Sequence, residues 1–172
     1  MNVISNVVYI EATDPAVIEK IRTDLHTKQG EFDFNAVLPM PADSETFNAT
    51  GVISAETQAK FGKNNWRDWR WDNWGTDRNS DDVILRRRGK TWLEYSLASG
   101  WESPEPVIKA LSAKYGVTVK CSHCGEERRY GVYGYANGKR FLNLRVKHPS
   151  NLMAVMHSEL PEKEVERRLA VK

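Results

Sequence analysis

Asp82-Val83-Ile84-Leu85-Arg86-Arg87-Arg88-Gly89-Lys90-Thr91-Trp92-Leu93-Glu94-Tyr95-Ser96-Leu97 holds two apolar, β-favouring runs about a glycine-containing turn. That pattern predicts a β-hairpin with a basic tip. Working outward, Val3 to Ala12 is a β-branched run that reads as a strand. Asp14 then stands as N-cap with Pro15 at the first helical position, and Val17, Ile18, Ile21 and Leu25 follow at helical spacing, with Gly30 as the stop. On the other side of the hairpin, Ser103-Pro104 caps and opens a second helix. Val107, Ile108, Leu111 and Tyr115 form its inner face, Gly116 ends it, and Val117 to Cys121 reads as a further strand. The order is strand, helix, insertion, hairpin, helix, strand. With right-handed crossovers it gives a ferredoxin-like split βαβ sandwich, an α+β fold with an antiparallel sheet and two helices on one face.

Between the first helix and the hairpin, Phe32 to Pro41 is apolar, but Pro39 and Pro41 bar a central strand. An extended segment under the sheet edge is expected. Residues 42–80 form a long insertion, of a length that usually serves a purpose. Ser54 can cap a helix carrying Ala55, Ala59 and Phe61, weakened at Gly62. The insertion closes on Asn65-Trp66-Arg67-Asp68-Trp69-Arg70-Trp71-Asp72-Asn73-Trp74-Gly75-Thr76, which holds four of the six tryptophans. At 100° per residue these indoles point all round a helix. Either the helix stops near Arg70 or some of the rings stay exposed.

Beyond the core order, Tyr130 to Tyr135 and Arg140 to Val146 flank Asn137-Gly138, the strongest short hairpin signal. From Leu160 the chain reads as a charged terminal helix, with Glu164 and Arg168 at a favourable spacing. The expected organisation is a ferredoxin-like domain over 1–128, with the insertion at 42–80, and a hairpin and charged helix over 129–172 packed on the same domain.

With 172 residues, 40% of them hydrophobic, the chain can bury a core without disulfide or metal support. A net charge of +2 lacks the basic excess usual in dedicated nucleic-acid or membrane-surface binders. No apolar run approaches membrane-spanning length and no secretory signal is visible, so a cytoplasmic protein of a bacterial host cell is expected.

Phe34-Asn35-Ala36-Val37-Leu38-Pro39-Met40-Pro41, the Asn73-Trp74-Gly75-Thr76 close of the insertion, and Ser99-Gly100-Trp101-Glu102-Ser103-Pro104-Glu105-Pro106-Val107 occur in order. Together they resemble the YubB-like family of phage and plasmid proteins, over about residues 1–138. The family tends to carry an acidic run after the fourth strand, where this chain has Cys121-Ser122-His123-Cys124-Gly125-Glu126-Glu127. The resemblance implies a ferredoxin-like fold and a mobile-element setting. That setting makes a host protein the expected partner, and inhibition of host defence the expected role.

The candidate partner-binding residues are Trp66, Arg67, Trp69, Arg70, Trp71, Asn73, Trp74, Thr76 and Trp101. Tryptophan and arginine are enriched in binding hot spots, and arginine stacks on indole. The alternative use of the same rings is a small core that staples the insertion to the sheet. A nucleic-acid contact would use Arg86, Arg87, Arg88 and Lys90 at the hairpin tip. Alternation sends Arg86 and Arg88 to one sheet face and Arg87 to the other. Arg128, Arg129, Lys139 and Arg140 would help if the second hairpin lay nearby, while the competing reading is an edge kept soluble by charge. Cys121 and Cys124 with His123 are weak metal candidates, because a structural zinc site needs four ligands and His148 and His157 bring no paired cysteine. No cofactor is expected. The usual nucleophile-elbow, zinc-protease, P-loop and dinucleotide motifs are absent, so the expected class is a non-enzymatic binding protein.

Overall fold

The computed structural model describes residues 2–41, 55–62, 65–125, 129–148 and 150–156. The elements in chain order are β1 (Val3–Glu11), α1 (Pro15–Leu25), α2 (Phe34–Val37), α3 (Ala55–Phe61), α4 (Trp66–Trp74) and β2 (Asp81–Arg88). They continue as β3 (Trp92–Gly100), α5 (Glu105–Tyr115), β4 (Thr118–Cys124), β5 (Tyr130–Ala136), β6 (Lys139–Val146) and α6 (Ser150–Met156). The strands form one antiparallel sheet in the order β2-β3-β1-β4-β5-β6. Its first four strands have the ferredoxin-like arrangement expected from the hairpin and its flanking helices. The Asn137-Gly138 hairpin extends the sheet past β4, with φ of 50° and 75° at the two turn residues. Positive φ at both is what a two-residue turn matched to strand twist requires.

Strand alternation divides the sheet into two faces. On the helix face, Val8, Ile10, Leu93, Tyr95, Leu97, Val119 and Cys121 pack against Ile18, Ile21 and Leu25 of α1 and Val107, Ile108 and Leu111 of α5. On the opposite face, Val132, Leu142, Leu144 and Val146 form a smaller cluster with Leu152, Val155 and Met156 of α6. α6 is not foreshadowed in the sequence. Its one turn-and-a-half of apolar residues is too short to show a period. Ser54, the side chain of Phe61, and the charged helix from Leu160 with its Glu164 and Arg168 lie outside the described residues.

Three expectations are corrected. α1 ends at Leu25 rather than at Gly30, because the Thr27 hydroxyl donates to Asp33 Oδ2 at 2.6 Å and pulls the chain into a 27–30 turn. The segment from Phe32 is not extended. Asp33 Oδ1 accepts from Asn35 N–H at 2.9 Å and caps the short helix α2, which buries Phe34 and Val37 in the core beside Phe32. Ser103 does not cap α5. Its hydroxyl is drawn into the core, 2.7 Å from both Asn6 Oδ1 and the Tyr133 hydroxyl, and the helix starts on Pro104 without a side-chain cap.

Candidate functional site

α4 forms because Asn65 caps it and Gly75 stops it. Asn65 Oδ1 accepts from Asp68 N–H at 2.9 Å, and its amide donates to Asp68 Oδ2 at 2.8 Å. At the other end Gly75 takes φ of 72°, and its N–H reaches the carbonyls of Arg70 and Trp71. The helix therefore runs through Arg70 to Trp74, and the tryptophans separate by direction. Trp74 is fully buried: its indole N–H donates to the Leu38 carbonyl at 2.9 Å, and its ring meets Phe34 and Trp69 edge-on at 5.7 and 5.6 Å. Trp66, Trp69 and Trp71 are half-buried and Arg67 is exposed. The Arg70 guanidinium lies 4.7 Å from the Trp66 ring and 5.4 Å from the Trp74 ring, and desolvation holds its pKa below the ordinary arginine value.

The loop after α4 docks on the segment before α5. The Thr76 hydroxyl donates to the Gly100 carbonyl at 2.6 Å and accepts from the Gly100 N–H at 3.0 Å, with Thr76 fully buried. A Cβ on Gly75, which also has φ of 72°, would stand 2.8 Å from Pro106 Cδ, so this contact requires glycine, whereas one on Gly100 would stand 1.8 Å from Asp77 Oδ1 and displace that carboxylate. The Leu38, Trp74–Thr76 and Gly100–Pro106 segments thus meet at one corner. These are the three segments on which the YubB-like resemblance rests.

One residue past Gly100, Trp101 is 44% exposed at φ of 66°. Glu102 N–H donates back to the Gly100 carbonyl at 2.7 Å, closing a three-residue turn of the positive-φ kind, which is rare and strained. The turn is held from several sides. Trp101 N–H donates to the Asn2 carbonyl at 2.9 Å, and the Ser99 hydroxyl donates to the Glu102 carbonyl at 2.7 Å. A bulky side chain kept in that backbone region persists only where its surroundings over-determine it.

Of the expected partner-face residues, Trp74 and Thr76 belong to the interior, because the loop needs both to dock. Asn73 donates to the Trp69 carbonyl at 2.9 Å and stays half-buried within the helix. Trp66, Arg67, Trp69, Trp71 and Trp101 retain open surface, with Arg70 stacked behind Trp66. The positive φ of Trp101 has no sequence signature beyond its place in a Gly-Trp-Glu-Ser-Pro turn.

The basic tip also departs from simple alternation. A bulge between Leu85 and Arg87 turns both Arg86 and Arg87 toward the fully buried Glu94, at 4.0 and 2.8 Å, while Arg88 pairs in register with Leu93. Arg87 grips that carboxylate with two nitrogens, which raises its own pKa further. Arg86, Arg87, Arg88 and Lys90 are exposed, but the second hairpin cannot reinforce them, because β2 and β6 lie at opposite edges of the sheet. Arg129 and Arg140 there pair with Glu102 and Glu105, and Arg128 is outside the described residues.

Cys121 and Cys124 both lie within β4 rather than after a strand. An odd spacing sends Cys121 to the helix face and Cys124 to the other, so the two thiols cannot ligate one ion. Burial pushes the Cys121 thiol up to about 11, which leaves it protonated at neutral pH. His123 lines a cavity of about 680 Å³ at one end of the sheet, beside Glu102 and Arg129. Burial holds its pKa below 6.5; Glu102 and Glu105 oppose the shift and Arg129 adds to it. The unfolded chain therefore takes up this proton first as pH falls, and the His123 contribution to stability is full above about 6.5 and declines below it. His123→Gln is expected to flatten the fall in unfolding free energy between pH 7 and 5, measured by urea denaturation. An unchanged slope would show that His123 is not buried neutral.

No family model matches the chain, and no curated protein is similar to it. A solved structure is similar. Protein api92 from Yersinia pseudotuberculosis, of the DUF1281 family model, aligns with a TM-score of 0.53 at 17% identity, over 67% of this chain and 40% of that one. The shared feature is the fold. The match spans 40% of the length of api92, and at this identity the likeness speaks for architecture alone. Among the described residues, no helix is long and apolar enough to cross a membrane.

Proposed function

We propose that the chain is a non-catalytic, YubB-like accessory protein that docks a host protein through Trp101 and the outer flank of α4. Trp101 carries this reading: a large indole is held in the open on a strained turn that five hydrogen bonds maintain. Trp66, Trp69 and Trp71 supply further half-open indole surface, and Arg67 a neighbouring cation. Rigid aromatic anchors of this kind, pre-ordered before contact, are what concentrate binding energy at interfaces. Inhibition of a host defence factor is the action that this role and the mobile-element setting imply.

The test is affinity capture from bacterial lysate, with and without nuclease, using wild type and Trp71→Ala plus Trp101→Ala. Wild type is expected to retain a discrete host protein that survives nuclease. The double variant, with its melting temperature within about 4 °C of wild type, is expected to lose it at least tenfold, roughly the effect of one hot-spot residue. Retention by both chains would contradict the reading, and capture abolished by nuclease would move it to nucleic acid.

A further inference from the structure

We propose that the cavity at the end of the sheet binds a nucleoside monophosphate, with its phosphate between Arg145 and Lys147. This goes beyond the protein-partner reading and stands without it. The cavity forms where the start of β1, the end of β4, the start of β5 and the end of β6 meet the turn before α5. Its volume, about 680 Å³, is within the range of small-molecule sites.

The lining offers one chemical partner for each part of such a ligand. Arg145 and Lys147 stand two residues apart at the end of β6, both exposed, and neither has a carboxylate partner among the described residues. A phosphomonoester carries about −1.5 to −2 charges at neutral pH, which matches these two cations. Arg129 is different, because Glu102 holds it at 2.9 Å. That leaves Glu102 as a single carboxylate on the wall, with lone pairs free to accept from ribose hydroxyls or an exocyclic amine. The His123 ring and the aliphatic Ile4 supply apolar wall for a base, while Tyr130 and Val146 line the cavity from strand ends whose side chains pack on the α6 face.

His123 supplies the second observation. Its Nδ1 is buried with no hydrogen-bond partner, and its ring packs 5.8 Å from that of Tyr133 and against Gly131. The imidazole so packed is an aromatic part of the cavity lining, and its ring protons report on anything that enters. Ser103 is not available for recognition, because its hydroxyl is already bonded to Asn6 and Tyr133.

The experiment titrates the full chain at low salt with adenosine 5′-monophosphate, adenosine and sodium phosphate. It reads heat by calorimetry and the His123 ring protons by NMR. The monophosphate is expected to bind at least about tenfold tighter than either fragment, and to shift the His123 resonances in a saturable way. Arg145→Gln plus Lys147→Gln is expected to weaken it at least about tenfold, while Arg145→Lys plus Lys147→Arg keeps it within about threefold. A monophosphate no tighter than phosphate alone, a static His123, or affinity indifferent to the glutamine pair would overturn the proposal. Tighter binding of a 5′-phosphorylated oligonucleotide than of the free monophosphate would also overturn it, assigning the cavity to a strand end.

Discussion

Trp74→Ala is expected to lower the unfolding free energy by about 3–5 kcal/mol, against a total of about 5–15 kcal/mol for a domain of this kind. The indole is fully enclosed, so its removal leaves a cavity between α4 and the core that Phe34 and Trp69, each touching it edge-on, cannot both fill. The Leu38 carbonyl loses its donor as well. The melting temperature should fall by about 6–20 °C, read by circular dichroism. Trp71→Ala, on the half-open side of the same helix, should cost far less. Equal losses at the two positions would mean that the helix is not oriented as described.

Thr76→Val is expected to cost about 1–3 kcal/mol and to weaken partner capture. The replacement keeps the shape of the side chain but removes the hydroxyl that serves both backbone groups of the buried Gly100, leaving its carbonyl with only the Glu102 N–H. The turn carrying Trp101 begins at that glycine, so its geometry relaxes along with the lost bonds. Thr76→Ser, which restores the hydroxyl, should recover most of both effects. A valine variant with full stability and full capture would separate the Trp101 turn from the close of the insertion.

Which features were legible in the sequence follows from where the physics is local. Asp14 before Pro15, the glycine turn at Arg88-Gly89-Lys90, Gly116 after Tyr115 and Asn137-Gly138 each act within a few residues. They sufficed to give the strand and helix order and hence the ferredoxin-like arrangement. The errors fall where distant side chains decide. Ser103 has the type and place of a cap, but Asn6 and Tyr133, 97 and 30 residues away, claim its hydroxyl. The helix α2 depends on Asn79, whose side chain accepts from Phe34 N–H at 2.8 Å across the whole insertion. Arg86 and Arg87 share Glu94 only because a bulge breaks the period, and bulges leave little trace in composition.

The candidate site was partly legible for the same reason. Helical spacing showed that four indoles could not share one stripe, and the structure places Trp74 inside while the other three keep open surface. It could not show which ring would turn inward, since that depends on Leu38 and Phe34, more than thirty residues away in the chain. Trp101 stood out in the sequence only as an indole in a turn. Its backbone conformation is held by its own bond to Asn2 and by the bonds of Gly100 to Thr76, neither partner near it in the chain.

The division of the tryptophans between interior and surface can be measured directly with 5-fluorotryptophan in all six positions and a soluble paramagnetic relaxation agent, read by fluorine NMR. The expected order of broadening puts Trp101 first, then Trp66, Trp69 and Trp71, with Trp74 last and nearly unaffected. A Trp74 signal that broadens with the others, or a Trp101 signal as protected as Trp74, would contradict the claim that one indole anchors the insertion while another is held out for recognition.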